Sequence, residues 1–276
     1  MVRKRSMSFS LYDVHLDHFS HAQLDAILRS WVSGYEQRRV STPNPEFLLY
    51  ARNRDWFRDL LNKSHLSIPD GVGLRYAIAA LGKGRLMFRH TGVDTLMHLA
   101  RICEDSGKLL VLFGAEKKRA QKAASALRFD FPELRVVGVD PGKIKEVNGK
   151  LQLDESIVLG LHRIEPVVLA VGLGCGKQEK FIEQYLHQLP TVRVAIGVGG
   201  AFDMISGHYR RAPGLFQRMG LEFFWRLMQQ PSRFTRIWKA SVVFPLMVAY
   251  DTLRRGRLLR ACIAVFPEVA RQLRGK

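Results

Sequence analysis

The amino-acid sequence predicts an α/β protein: a mainly parallel sheet flanked by helices, with a basic helical appendage at its C-terminal end. Three observations predict it. The apolar runs Leu109–Phe113, Val167–Val171 and Val192–Val198 each stop at a glycine, as strands buried on both faces of a parallel sheet tend to do. Between the runs lie stretches whose apolar residues recur at helical spacing. From residue 206 onward the chain turns basic and aromatic.

Taken in order, Ala22–Tyr35 and Pro45–Leu61 read as helices, the second with Asn44 as N-cap and Pro45 near the first position. His65–Pro69 is a short strand leading into Asp70 and Gly71, so Asp70 stands at a strand's C-terminal end. Leu109–Phe113, a helix over Glu116–Phe129 with Ala120, Ala123, Ala124 and Leu127 on one face, and Leu134–Val139 form a βαβ unit. Val167–Val171 precedes a helix over Gln178–Leu189, and Val192–Val198 runs into Gly199 and Gly200. The alternation is Rossmann-like, and open sheets of this kind bind ligands beyond the carboxyl ends of their strands. The one plausible boundary lies near Ser206–Pro213, dividing a body over 1–205 from an appendage over 206–276.

The chain has 276 residues, 47% of them apolar, which suits a globular core and argues against disorder. Its net charge of +18 is uneven: residues 206–276 hold fourteen Lys or Arg against three acids, a surplus of eleven. A block of this kind implies an anionic partner. Cys103, Cys175 and Cys262 are far apart and form no C-x-x-C, as in a reduced cytoplasmic chain. The first residues carry charge with no apolar stretch behind them, so no signal peptide is expected. The apolar run Ala240–Tyr250 contains Pro245 and falls well short of the roughly 20 residues a membrane-crossing helix needs. The appendage is expected to lie on a membrane without spanning it.

Four loop segments hold the chemistry-bearing residues: Thr42-Pro-Asn-Pro-Glu46, Ile68-Pro-Asp-Gly-Val-Gly73, Arg89-His-Thr-Gly-Val-Asp94 and Gly172-Leu-Gly-Cys-Gly-Lys-Gln-Glu179. Each has a plain alternative. Asn44 either caps a helix or donates to an anion, and Asp70 with Gly71 is either a turn or a reactive carboxylate beside a permissive glycine. No G-x-G-x-x-G and no Walker A loop is complete, so dinucleotide and P-loop assignments fail.

In this order, Thr-Pro-Asn at 42–44, Asp-Gly-Val-Gly at 70–73, Arg-x-x-Gly-x-Asp at 89–94, Gly-x-Gly-x-x-x-Gln-Glu at 172–179 and Gly-Val-Gly-Gly-x-Phe-Asp ending at Asp203, followed by Gly207 and Arg211-Ala-Pro213, resemble one family. It is the WecG/TagA/CpsF family of bacterial glycosyltransferases, glycosyltransferase family twenty-six, and the likeness runs from about Asp13 to Arg236. The resemblance implies transfer of N-acetylmannosamine, its uronic acid or another hexose from a UDP-sugar to a polyprenyl-diphosphate-linked saccharide. The setting it implies is surface-polysaccharide synthesis at the inner face of the cytoplasmic membrane, with inversion and without an obligatory metal or other cofactor. One departure stands out: Gly176 occupies the place of the family's usual proline, which loosens the loop expected to hold the donor.

An inverting transfer needs a base for the attacking hydroxyl and donors for the departing diphosphate. Asp70 is the candidate base, with Gly71 leaving room for a sugar. The resemblance gives Thr42 a part in holding the leaving group, and Asn44 sits at the same strand-to-helix junction, where an anion is already favoured. Gln178 is expected to donate to a sugar or phosphate oxygen, while Glu179 is either a second contact or a favourable helix-start acid. Arg89 offers a forked guanidinium to a phosphate, and Asp94 either pairs with it or caps a helix beginning at Thr95. Gly174 and Gly199 complete the loops, and Asp203 is either a nucleoside or sugar contact or a cap.

For the acceptor's diphosphate the appendage offers Arg211, Arg226, Arg233 and Arg236, interleaved with Phe223, Phe224, Trp225, Phe234 and Trp238. Such segments suit an anionic membrane surface, although some of the aromatics have the alternative of packing on the sheet. A homo-oligomer is also compatible with the segments after Arg236. Two rival classes remain at this point: a nucleic-acid binder, invited by the charge but lacking any recognition motif, and a nucleotide-sugar binder without catalysis.

Overall fold

The computed structural model describes residues 7–114, 118–209, 212–214, 216, 219, 222–229, 231 and 234–274. It opens with a hairpin that the sequence did not announce, β1 (Met7–Leu11) paired antiparallel with β2 (Val14–His18). Its turn residues Tyr12 and Asp13 both take positive φ, 52° and 61°, the geometry usually signalled by Asn-Gly. Helix α1 (His21–Val32) starts at Ser20, which accepts from the Gln23 amide while the Gln23 side chain accepts from the Ser20 amide. After β3 (Arg38–Ser41), the single helix expected over Pro45–Leu61 is two, α2 (Pro45–Arg52) and α3 (Asp55–Asn62). The break falls at Arg54, whose backbone is extended and whose guanidinium lies 4.0 Å from the centre of the Tyr50 ring.

The chain continues through β4 (Leu66–Ser67), α4 (Val72–Ala80), α5 (Gly92–Ser106), β5 (Leu110–Gly114), α6 (Arg119–Asp130), β6 (Val136–Val139) and a small hairpin, β7 (Lys145–Val147) with β8 (Lys150–Gln152). Next come α7 (Glu155–Ile164), β9 (Val168–Gly172), α8 (Lys177–Tyr185), a 3₁₀ turn at Leu186–Gln188, β10 (Val194–Gly197) and α9 (Ala201–Ile205). The C-terminal helices are α10 (Glu222–Gln229), α11 (Phe234–Trp238), α12 (Phe244–Arg254), entered through a π-helical turn at Lys239–Val243, and α13 (Leu258–Leu273).

Six strands form one parallel sheet in the order β4-β3-β10-β9-β5-β6. Every residue of β5, β9 and β10 is buried, which explains why these strands read as unbroken apolar runs. Leu24 and Leu28 of α1, Leu96 and Leu99 of α5 and Leu127 of α6 belong to one hydrophobic cluster. Leu161 of α7 and Phe181 of α8 belong to another, in which Phe181 stacks on Phe113 with centroids 4.4 Å apart. The fold is therefore the α/β sheet flanked by helices that the sequence predicts.

A third cluster joins the N-terminal hairpin (Phe9, Leu11, Val14, Leu16), α2 (Phe47, Leu48), α3 (Phe57), α4 (Leu74, Ile78) and α12 (Phe244, Val248). The hairpin is tied to the sheet edge by the Ser67 amide, which donates to Asp17 Oδ2 at 2.8 Å. Among the described residues, no helix is long and apolar enough to cross a membrane.

Candidate active site

The loops that leave β3, β4, β9 and β10 meet at the carboxyl edge of the sheet, where parallel sheets bind ligands. Thr42, just past β3, is buried and its hydroxyl donates to the Gly197 carbonyl at the end of β10, 2.8 Å away. Asp70, just past β4, gives its amide to the Pro43 carbonyl at 2.7 Å. Its Oδ2 accepts from the Gly92 amide at 3.1 Å. A β-carbon placed on Gly92 would lie 3.6 Å from Thr42 Oγ1 and 3.7 Å from Asp70 Oδ2, so three of the four segments converge on one point. Gly71 has φ +94°, a conformation side-chain-bearing residues rarely adopt, and it lets the chain turn from Asp70 into α4.

Gln178, expected as a donor to substrate, is wholly buried and its amide is engaged on both sides. Its Nε2 donates to Glu179 Oε1 at 2.7 Å and its Oε1 accepts from the Gly199 amide at 2.9 Å. The side chain lies against Gly197, where an added β-carbon would sit 2.5 Å from Nε2. Gln178 thus ties the loop after β9 to the loop after β10, and Gly199 enters the site through its backbone. Gly174, with φ +86°, and Gly176, with φ +84°, shape the first of these loops. A proline at 176 can reach neither that φ nor the hydrogen bond its N–H makes to Glu179 Oε2 at 2.8 Å. The loop is accordingly held shut at the position where the sequence led us to expect slack.

Burial raises the Glu179 carboxyl to about 7, against the pull of its hydrogen bonds from Gln178 and Gly176. The folded chain therefore keeps a proton that the unfolded chain releases near 4.5. The stabilising effect is complete below that value and is lost as pH rises through about 7. We expect stability in urea to decline more steeply between pH 5 and 8 in the native protein than in Glu179→Gln, by up to about 1.4 kcal/mol per pH unit. Parallel declines would show that Glu179 titrates as an ordinary surface carboxylate.

The remaining expectations divide. Asn44 is the N-cap of α2, its Oδ1 accepting from the Phe47 amide at 3.1 Å. Arg89 is half-buried on the loop before α5, within electrostatic reach of Arg75 and Tyr76. That loop is held by His18, whose Nε2 accepts from the Met87 and Phe88 amides at 3.0 and 3.3 Å. Burial lowers the His18 pKa, which favours the neutral ring these bonds need. Helix α5 begins at Gly92 and not at Thr95, because Thr91 caps it by accepting from the Asp94 amide at 3.0 Å. Asp94 stands exposed in the first turn.

Asp203 is buried and receives Arg119 Nη1 at 2.7 Å. Arg119, at the start of α6, also places Nη2 3.3 Å from His208 Nε2. With Lys122, Ser206 and Gly207, these two residues line a cavity of about 390 Å³. Sequence reasoning did not single out Arg119, Lys122 or His208, since basic residues in and beside a helix carry no local signal of what they will face. Arg236 Nε donates to Glu46 Oε1 at 2.7 Å, fastening α11 to α2, and its side chain is partly exposed. Arg211 and Arg233 lie outside the described residues, and so does the side chain of Arg226 on α10.

Residues 9–258 match the family described as Glycosyl transferase WecG/TagA/CpsF. A protein of Bacillus subtilis (strain 168) is 34% identical over 208 residues, covering 75% of each chain. One of Bacillus spizizenii (strain ATCC 23059 / NRRL B-14472 / W23) is 30% identical over 222 residues, covering 78% of this chain and 83% of the relative. One of Staphylococcus aureus (strain MRSA252) is 24% identical over 250 residues, covering 90% and 94%. All three are named N-acetylglucosaminyldiphosphoundecaprenol N-acetyl-beta-D-mannosaminyltransferase. With a matched span that includes the convergent loops and the whole six-stranded sheet, this chain belongs to the WecG/TagA/CpsF family of glycosyl transferases.

Proposed function

We propose that this glycosyltransferase moves N-acetylmannosamine, its uronic acid or a related hexose from a UDP-sugar onto a polyprenyl-diphosphate-linked saccharide. The observation that carries this reading is the carboxylate of Asp70, held by the Gly92 amide beside the Thr42 hydroxyl at the carboxyl edge of the sheet. The names of the relatives supply the acceptor and the first sugar to try.

In this reading the acceptor hydroxyl gives its proton to Asp70 as its oxygen bonds to the anomeric carbon. The bond from that carbon to the UDP oxygen breaks, and the electron pair leaves with the diphosphate. A carboxylate is a weak base toward a hydroxyl, so the proton moves only as the new bond forms, which demands a fixed position. Asp70 has one, through the hydrogen bonds of its backbone and its side chain. The departing diphosphate needs positive charge and donors. Arg89 and the basic cavity of Arg119, Lys122 and His208 offer them on the same edge of the sheet. Gln178 acts at one remove, by setting the Gly199 backbone.

The acceptor's lipid places the reaction at a bilayer. Helices α12 and α13 expose Leu246, Tyr250, Leu253, Leu259, Ile263, Phe266 and Leu273, with Arg254, Arg255, Arg257 and Arg260 exposed around the connection. An apolar face edged with arginines suits the surface of an anionic membrane, each cation there adding about 1 kcal/mol.

The direct experiment offers a panel of UDP-hexoses with a polyprenyl-diphosphate-GlcNAc analogue and reads product by mass. One donor, N-acetylmannosamine first, should give a hexose adduct. Folded protein that makes no adduct from any UDP-hexose would refute the assignment. Phosphatidylglycerol vesicles should co-sediment the native chain and fail to hold Phe266→Glu; equal sedimentation of both would remove α13 as the contact.

A further inference from the structure

Helix α13 starts where the family match ends, at residue 258. Its two faces are chemically different. Leu259, Ile263, Phe266 and Leu273 point outward, whereas Ala261, Glu268 and Gln272 are buried. Burying a carboxylate is unfavourable unless cations offset the lost hydration, and Glu268 is 0% exposed. Arg85 Nε lies 3.1 Å from its Oε1, and Arg271 Nη1 lies 3.4 Å from its Oε2. Arg75, on α4 and 3% exposed, also feels its charge, together with those of Arg89 and Arg271. Glu268 is therefore a buried carboxylate paired with Arg85 of the loop after α4 and with Arg271 of its own helix, on a helix that packs against α4.

Two of those segments lead to Asp70. Arg75 is in the second turn of α4, whose cap Gly71 follows Asp70 in the chain. Arg85 lies in the loop after α4 that carries Arg89 and leads to Gly92, the residue whose amide holds Asp70 Oδ2. Without the Glu268 charge, Arg75, Arg89 and Arg271 would keep their mutual repulsion with no carboxylate to offset it.

We propose that Glu268 is a positioning residue for the transfer reaction: from a helix beyond the family match it draws α4 and the 85–92 loop together and so sets the catalytic carboxylate. The inference rests on Asp70 being the base, as argued above. It makes α13 bifunctional, with one face toward the bilayer and the other toward the site.

The test is Glu268→Gln, assayed for kcat and KM with the UDP-sugar donor and the lipid-diphosphate acceptor analogue, alongside a thermal melt. Expected is a folded variant whose kcat falls about tenfold or more, with donor KM within about twofold of native and partial recovery in Glu268→Asp. In an Asp70→Asn background the same change should add no further loss, because its effect passes through the base. If Glu268→Gln does not fold, Arg85→Gln, which breaks the same ion pair from its exposed side, should lower kcat in the same direction by a smaller factor. A folded Glu268→Gln with native kcat, or an undiminished effect in the Asp70→Asn background, overturns the proposal. Native turnover in Asp70→Asn alone would instead overturn the assignment of the base, so the two failures are distinguishable.

Discussion

Asp70→Asn is expected to lower kcat by about 10²–10⁴, the usual contribution of a positioned general base, while the affinity for a UDP-sugar and the thermal midpoint stay close to native. Asparagine keeps the shape of the side chain and an oxygen that can accept from the Gly92 amide, which donates to Oδ2 at 3.1 Å. The turn and the start of α4 therefore survive; the capacity to take a proton does not. Donor affinity by calorimetry and turnover by mass separate the two effects. A variant that binds the donor and turns over at the native rate removes Asp70 as base. A variant that loses donor binding and stability together shows that the carboxylate only holds the turn.

Phe244→Ala is expected to cost about 3–5 kcal/mol of folding stability, as large-to-small changes of buried aromatics do. Phe244 is 1% exposed, meets the Tyr12 ring edge-on with centroids 6.3 Å apart, and shares a cluster with Phe9, Leu48 and Leu74. The segment that presents arginines and apolar side chains to solvent thus also plugs the core of the N-terminal half. Urea denaturation followed by circular dichroism gives the number. A loss below about 1 kcal/mol would mean that α12 merely rests on the body. A large loss also bears on any cut between 1–205 and 206–276, because it would leave Leu11, Leu48 and Leu74 facing the space Phe244 fills.

Strands β5, β9 and β10 were legible because burial on both faces forces unbroken apolar runs, and the glycines that end them mark the sheet's carboxyl edge; β3, with Arg38 and Arg39, shows no such run. Thr42 and Asp70 could be singled out from the sequence, since each stands at a strand end; the place of Gly92 beside them could not, because the sequence puts the start of its helix at Thr95. The N-terminal hairpin escaped because Tyr12 and Asp13 make its turn without a glycine. The break between α2 and α3 escaped because the apolar spacing continues across Arg54 even though its backbone does not stay helical.

What the sequence determined by itself was the kind of protein: the sheet, its layers, the family, and the loops that meet at one edge. The sheet and its layers follow from short-range pattern, in which each residue reports whether it faces core or water; the family follows from the resemblance of its loop motifs. Only the tertiary structure decided the partners. It tied the loops after β9 and β10 through Gln178, paired Arg236 with Glu46, joined Arg119 to Asp203, and brought Glu268 to Arg85 of the loop after α4. Charge and hydrogen-bond pairing across 21 to 190 positions depend on how folded elements pack against one another, and local periodicity carries no record of that.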